Sequence, residues 1–235
     1  MIRSFFLSIF LAFFTVWGLF AQDHEQGNHP YVVRGVVYVD LEPIFAGHVD
    51  EEYPLDIPAA GRRALEEAAL FYSAMIYGWS FSYEVGERAR KINEDLQLEP
   101  VGVIQFGDPA LRVTDTEFKD MRFGVWTDYH LSEAQQRRMQ VWRTGIIRNA
   151  QGLGFAPAVM DEYPGWLAFK KAALEDAARA SLRAMLRGSE RNRPRKATGF
   201  ISLASFPRYF MTSGRLTSSA RFRVQIDEIL PFSAY

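Results

Sequence analysis

Shifted by about 110 residues, the chain matches itself, and this internal match constrains its fold more than any other feature. The shift places Gly35 on Gly145 and Val32–Val37 on Trp142–Ile147. It also aligns Phe45-Ala46 with Phe155-Ala156, Val49 with Val159, Glu52-Tyr53-Pro54 with Glu162-Tyr163-Pro164, and Ala74–Gly78 with Ala184–Gly188. A shift of 109 pairs Ala64–Ala69 with Ala173–Ala178. Beyond that the shift drops by about eleven, so that Gly102-Val103-Ile104 meets Gly199-Phe200-Ile201 and Arg122–Asp128 meets Arg221–Asp227. Chance supplies single matches of this kind, but not an ordered series. The expectation is two diverged strand–helix–strand–strand units.

Each unit reads the same way. Residues Tyr31–Val39 and Val141–Asn149 are rich in Val, Ile and aromatics, as strands are. A capping box at Ser132 and Gln135 offers a helix start just before the second of these. The match to the first copy favours a strand after about Met139. The second element is an alanine-rich helix. Leu167, Leu174, Ala178, Leu182 and Met185 form its apolar stripe in one copy, and Leu65, Ala68, Ala69, Tyr72, Met75 and Ile76 in the other. Strands at Met121–Leu131 and Ala220–Leu230 alternate, with Phe222, Val224 and Ile226 on one side and Arg221, Arg223 and Gln225 on the other. Such strands need one covered face, so the expected fold class is α+β, an antiparallel sheet with helices packed on one face. Domain bounds follow as 1–21 (leader), 22–131 and 132–235. The first copy carries an insertion over Ser80–Glu99, within which Glu84–Leu98 reads as a short helix.

The leader is read from Met1-Ile2-Arg3-Ser4, an apolar run Phe5–Ala21, and an abrupt polar turn at Gln22-Asp23-His24. A charged start, an apolar middle and a small residue at the break match a secretory signal cleaved after Ala21, although Leu19 is larger than usual two positions before. The alternative is an uncleaved inner-membrane anchor, for which the run sits at the lower length limit. Export to the periplasm or cell surface is expected. The chain has no cysteine, which excludes a disulfide framework and a lipid-bearing cysteine. A net charge of −1 argues against a nucleic-acid partner.

The second copy runs from Gly145 through Gln151-Gly152-Leu153-Gly154 and Ala172–Arg179 into two strands. Over residues 141–230 this pattern resembles the N-terminal domain of flagellar assembly protein T and related small bacterial surface lipoproteins. The resemblance implies a non-catalytic envelope role and transfers no catalytic residue.

Of the four histidines, His24, His29, His48 and His130, the first two lie in a polar segment with Asp23 but match no zinc spacing, and His130 ends a strand where the second copy has Ile229. No metal site and no cofactor is expected. Asp128 and Asp227, and Glu52 and Glu162, are equivalent across the copies. Strand-end and turn roles explain them better than shared acid–base work. No nucleophile elbow or phosphate loop is present, and Gln151–Gly154 has too few glycines for a dinucleotide site. The basic stretch Arg187, Arg191, Arg193, Arg195 and Lys196 is a candidate for anionic ligands, such as headgroups or acidic wall polymers. Trp79, Phe81 and Tyr83 are candidates for a platform that stacks sugar rings. The leading functional expectation is a non-enzymatic exported envelope protein acting through protein contacts in surface or flagellum-related assembly. The alternative is a periplasmic binding module for a glycan or anionic ligand.

Overall fold

Chain order is β1 (Val32–Asp40), α1 (Ile57–Ile76), β2 (Trp79–Glu84), β3 (Asp95–Pro100), β4 (Leu111–Lys119), β5 (Arg122–His130), α2 (Glu133–Val141), β6 (Arg148–Phe155), α3 (Trp166–Ser189), β7 (Pro194–Leu203), β8 (Arg208–Thr212) and β9 (Arg215–Pro231). The structure is a computed structural model and describes residues 31–43, 53–86, 91–144, 146–157, 165–189 and 194–231. All strand pairs are antiparallel and form two sheets, β1-β5-β4 and β3-β2-β7-β9-β6, with β8 added on β9. The fold is α+β, as expected, and residues 31–235 form one compact unit.

Period-two patterning builds the first sheet. Val37 and Val39 of β1 and Phe123, Val125, Thr127 and Tyr129 of β5 are buried, while Arg34 and Tyr38 are exposed on the opposite face. In register, Gly35 stands opposite Thr127 and Val37 opposite Val125. Helix α1 covers this inner face. Asp56 caps it by accepting from the Ala59 N–H at 2.7 Å, and Pro58 suits its first turn. From Glu67 onward α1 is buried on most sides, because it packs on β1 and β5 and also meets β7 of the second sheet. Tyr72 fixes it by donating to the Thr127 carbonyl at 2.8 Å.

Helix α3 covers β6 and β9. It does so at very short range. A Cβ built on Gly152 would lie 2.0 Å from the Ala177 carbonyl oxygen, and one on Gly154 would lie 2.0 Å from the Ala177 nitrogen. Only glycine leaves room for the helix backbone there. The two glycines are not a cofactor loop but strand residues whose missing side chains seat a helix.

Two sequence expectations are overturned. The strand expected over Val141–Asn149 does not start there: the capping box wins, with Ser132 N–H donating to Gln135 Oε1 at 2.8 Å and Gln135 N–H to Ser132 Oγ at 3.3 Å. Helix α2 follows to Val141, and the strand begins only at Arg148. Nor do the described residues of the 84–98 segment form a helix. Residues 79–84 and 95–100 pair as β2 and β3, and β2 also pairs with β7, whose hydrogen bonds lie far away in sequence. The first half of the chain therefore contributes β2 and β3 to the sheet built mainly by the second half. Among the described residues no helix is long and apolar enough to cross a membrane. The leader, His24, His29, His48, Glu52 and Glu162 lie outside the described residues.

Candidate functional site

Two helical stripes are each interrupted by one charge. In α1 the stripe Ala60, Ala64, Phe71 carries Glu67 at its core position. In α3 the stripe Trp166, Ala173, Ala177 carries Lys170. The fold brings the two together. Glu67 is 1% exposed and Lys170 3%. Lys170 Nζ donates to Glu67 Oε2 at 2.5 Å, and Trp166 Nε1 donates to Glu67 Oε1 at 2.8 Å. The ammonium also stands 4.9 Å from the centre of the Trp166 ring and 5.1 Å from that of Tyr209. Tyr209 in turn donates its hydroxyl to the Lys170 carbonyl at 3.0 Å. Burial lowers the Lys170 pKa, and the adjacent Glu67 charge opposes that fall. Removing two charges from water is costly, and they persist here only because each has partners.

This pair lies at a cleft of about 650 Å³, inside the size range of ligand pockets. One wall comes from Val36, Val37, Tyr38 and Asp40 of β1, the other from Arg208, Tyr209, Phe210 and Met211 of β8. Consecutive strand residues point to opposite faces, so only a strand's edge presents such neighbours to one cavity. β1 pairs only with β5, and β8 only with β9, so both strands have a free edge among the described residues. Phe71 and Phe206 also line the cleft, their rings 5.1 Å apart. At its rim Arg122 Nε meets Asp40 Oδ1 at 2.7 Å. Both oxygens of Glu67 are engaged, which makes the pair a fixed polar fitting rather than a ready proton donor or acceptor.

The residues singled out from sequence lie elsewhere. Trp79, Phe81 and Tyr83 alternate inward on β2 and are 4%, 4% and 0% exposed. They are core and form no sugar-stacking platform; the alternation that made them conspicuous is what buries them. Trp79 also lines a second cavity, of about 260 Å³, with Leu70, Ala74, Val103, Phe106 and Leu167 among its walls. Tyr83 donates to Glu94, which also forms an ion pair with Arg183. Burial raises Glu94, but hydrogen bonds from Arg183 and Tyr83 outweigh it and hold the carboxyl below its ordinary value. Of the basic stretch, Arg195 and Lys196 lie in β7 rather than in a loop, Lys196 opposite Glu84. Arg191 and Arg193 lie outside the described residues. Asp128 and Asp227 are in different sheets; Asp128 faces Arg34 at 3.4 Å, as a strand residue would. His130 ends β5, exposed, opposite Val32. The signal that sequence reading missed was a lone charge on each apolar stripe, hidden because Glu66-Glu67 and Lys170-Lys171 are doublets of which only one member is buried.

Comparison with known proteins places the chain. No solved structure matches it. An uncharacterized protein of Treponema pallidum (strain Nichols) is 23% identical over 170 residues, which are 72% of this chain and 69% of that protein. A model for a family of uncharacterised proteins matches residues 21–232, and the chain belongs to that family.

Proposed function

We propose that this is an exported envelope protein that works by binding, and that a partner protein inserts an extended segment into the cleft between β1 and β8. The observation that carries this reading is the cleft itself, with a free strand edge on each side. Strand addition supplies affinity through main-chain hydrogen bonds and specificity through alternate side chains. Val36 and Phe206 offer apolar contact, and the Asp40–Arg122 pair at the rim offers both signs of charge. Export rests on the charged, apolar and small-residue pattern of Met1–Ala21.

A photo-crosslinking amino acid in place of Phe210, which is 43% exposed in the cleft wall, tests this in intact cells. The control position is Ile146, 76% exposed and not part of the cleft. A defined protein adduct from Phe210 and none from Ile146 is the expected result. Adducts at both positions alike, or no protein adduct at Phe210, would overturn the reading and leave the cleft to a glycan or a small ligand.

A further inference from the structure

The edge strand β4 overhangs its helix. α1 packs mainly on β1 and β5, and eight of the nine β4 residues are exposed. On the side that α1 covers elsewhere, Val113 is 47% and Phe118 60% exposed. Water-facing apolar groups on a free strand edge are a pairing surface unless something guards it. A bulge, a common guard, falls between Val113 and Asp115.

That bulge has a second effect. Leu111 and Val113 stand opposite Tyr129 and Thr127, so they face the helix side. After the bulge the parity switches, and Thr116 and Phe118 take that side, opposite Val125 and Phe123. Arg112, Asp115, Glu117 and Lys119 take the outer side throughout. Inward from Leu111 and inward from Phe118, the strand therefore shows the same order of faces, helix side, outer side, helix side. A twofold axis between Thr114 and Asp115 would set β4 against β4 of a second copy with the faces of residues 111–113 matched to those of the partner copy's 116–118. Phe118 then meets the partner copy's Leu111, and Glu117 its Arg112, twice over. Moving the axis to Asp115 puts Arg112 opposite Phe118, on the wrong face. Moving it half a residue further puts Arg112 opposite Lys119. Of these three registers only the first satisfies both pattern and charge.

We propose that the protein self-associates through β4, forming a twofold dimer with a continuous antiparallel sheet β1-β5-β4-β4-β5-β1. The contact is isologous, so each side-chain pair occurs twice. Glu117 faces Gly124 within its own sheet, so reversing its charge leaves the protomer's internal pairing intact.

Sedimentation of the purified full chain over a concentration series measures this directly. The expected result is a monomer–dimer equilibrium. Glu117→Arg places two like-charged pairs across the axis and should weaken it about tenfold or more. Arg112→Glu should do the same. Mixing the two variants restores both pairs, and the mixture should dimerise as tightly as the parent chain. Circular dichroism confirms that each variant is folded. A parent chain that stays monomeric throughout would overturn the proposal. So would a dimer indifferent to Glu117→Arg, or a mixture that gains nothing over its components.

Discussion

α3 lies on β6 backbone to backbone, whereas α1 lies on β1 and β5 through its side chains. At β6 two glycines admit the helix main chain. At β1 the corresponding space over Gly35 is filled by the Phe206 ring, whose nearest atom would stand 2.3 Å from an added Cβ. The consequence shows in where the cavities are. The two cavities described above flank α1: Glu67 and Phe71 line the one of about 650 Å³, and Ala69, Ser73 and Ala74 the one of about 260 Å³. α3 reaches them only through residues of its first turns, Trp166, Leu167, Lys170 and Lys171. Close helix–strand contact leaves no room for a ligand, while side-chain contact leaves gaps that ligands or water can occupy. The α3–β6 contact is a frame, and the surroundings of α1 are the working part.

The sharpest way to break this comparison is Gly154→Val. Its Cβ would meet main-chain atoms of Ala177 at 2.0 Å and Ala173 at 2.3 Å, and helix backbone cannot swing aside as a side chain can. Expected is a loss of at least about 4 kcal/mol, or no cooperative transition at all, in urea unfolding. A loss under about 1 kcal/mol would show that α3 is free to lift off the sheet.

Next in size is Glu67→Gln. It leaves the Lys170 ammonium buried without its counter-charge, which typically costs about 3–5 kcal/mol. Glu94→Gln is the companion measurement, because its Arg183 partner is 36% exposed and can turn to water. There the expected loss is about 1 kcal/mol or less. Equal losses in the two variants would mean that the Glu67–Lys170 pair is hydrated in solution.

Raising the pH should loosen α1 as well. Burial first pushes Tyr53 and Tyr83 up to about 12; the Asp40 charge adds to the rise at Tyr53, and at Tyr83 the hydrogen bond donated to Glu94, then the Glu94 charge, adds to it. Burial likewise raises Tyr129 to about 12 and moves Tyr72 and Tyr209 upward. A folded-state pKa above the ordinary value of 10.0 means a contribution fully present below about pH 10 and lost as pH climbs through 12. Tyr72 is on α1, Tyr129 packs on it with ring centres 5.3 Å apart, and Tyr209 lies over Phe71. Tyrosinate absorbance and near-UV circular dichroism should therefore change together above pH 10. Ionisation with no change in the dichroism would refute the assignment of these hydroxyls to the interior.

What the sequence showed and hid follows the same division. The stripes of α1 and α3 were legible because every third or fourth position is apolar, and β5 and β9 because they alternate. The capping box at Ser132 was also legible, and it outweighed the match to the first copy. The β2–β3 hairpin was not, because β2 is held by pairing with β7, some 120 residues on. β6 was obscured by Gly152 and Gly154, whose low strand preference is offset only by the arrival of α3. Glu67 and Lys170 looked like surface charges, since nothing local says which member of a doublet turns inward. Long-range contact decided each of these cases.

A smaller effect than those of Gly154→Val and Glu67→Gln is expected of Gly35→Ala, and it is the most informative about the cleft. Its Cβ would collide with Phe206 ring atoms at 2.3 and 2.4 Å, so the ring must move. Unlike a helix backbone, a part-buried ring beside an open cleft has somewhere to go. The predicted loss is about 1–2 kcal/mol, because displacement replaces true overpacking. Phe206 also packs edge-on against Tyr72 at 4.9 Å and Phe71 at 5.1 Å, so its displacement disturbs α1 and the cleft wall together. Crosslinking from Phe210 should fall in this variant while the urea midpoint moves only slightly. A large loss of stability with unchanged crosslinking would reverse the comparison: Phe206 would then be as immovable as the α3 backbone, and β1 would belong to the frame.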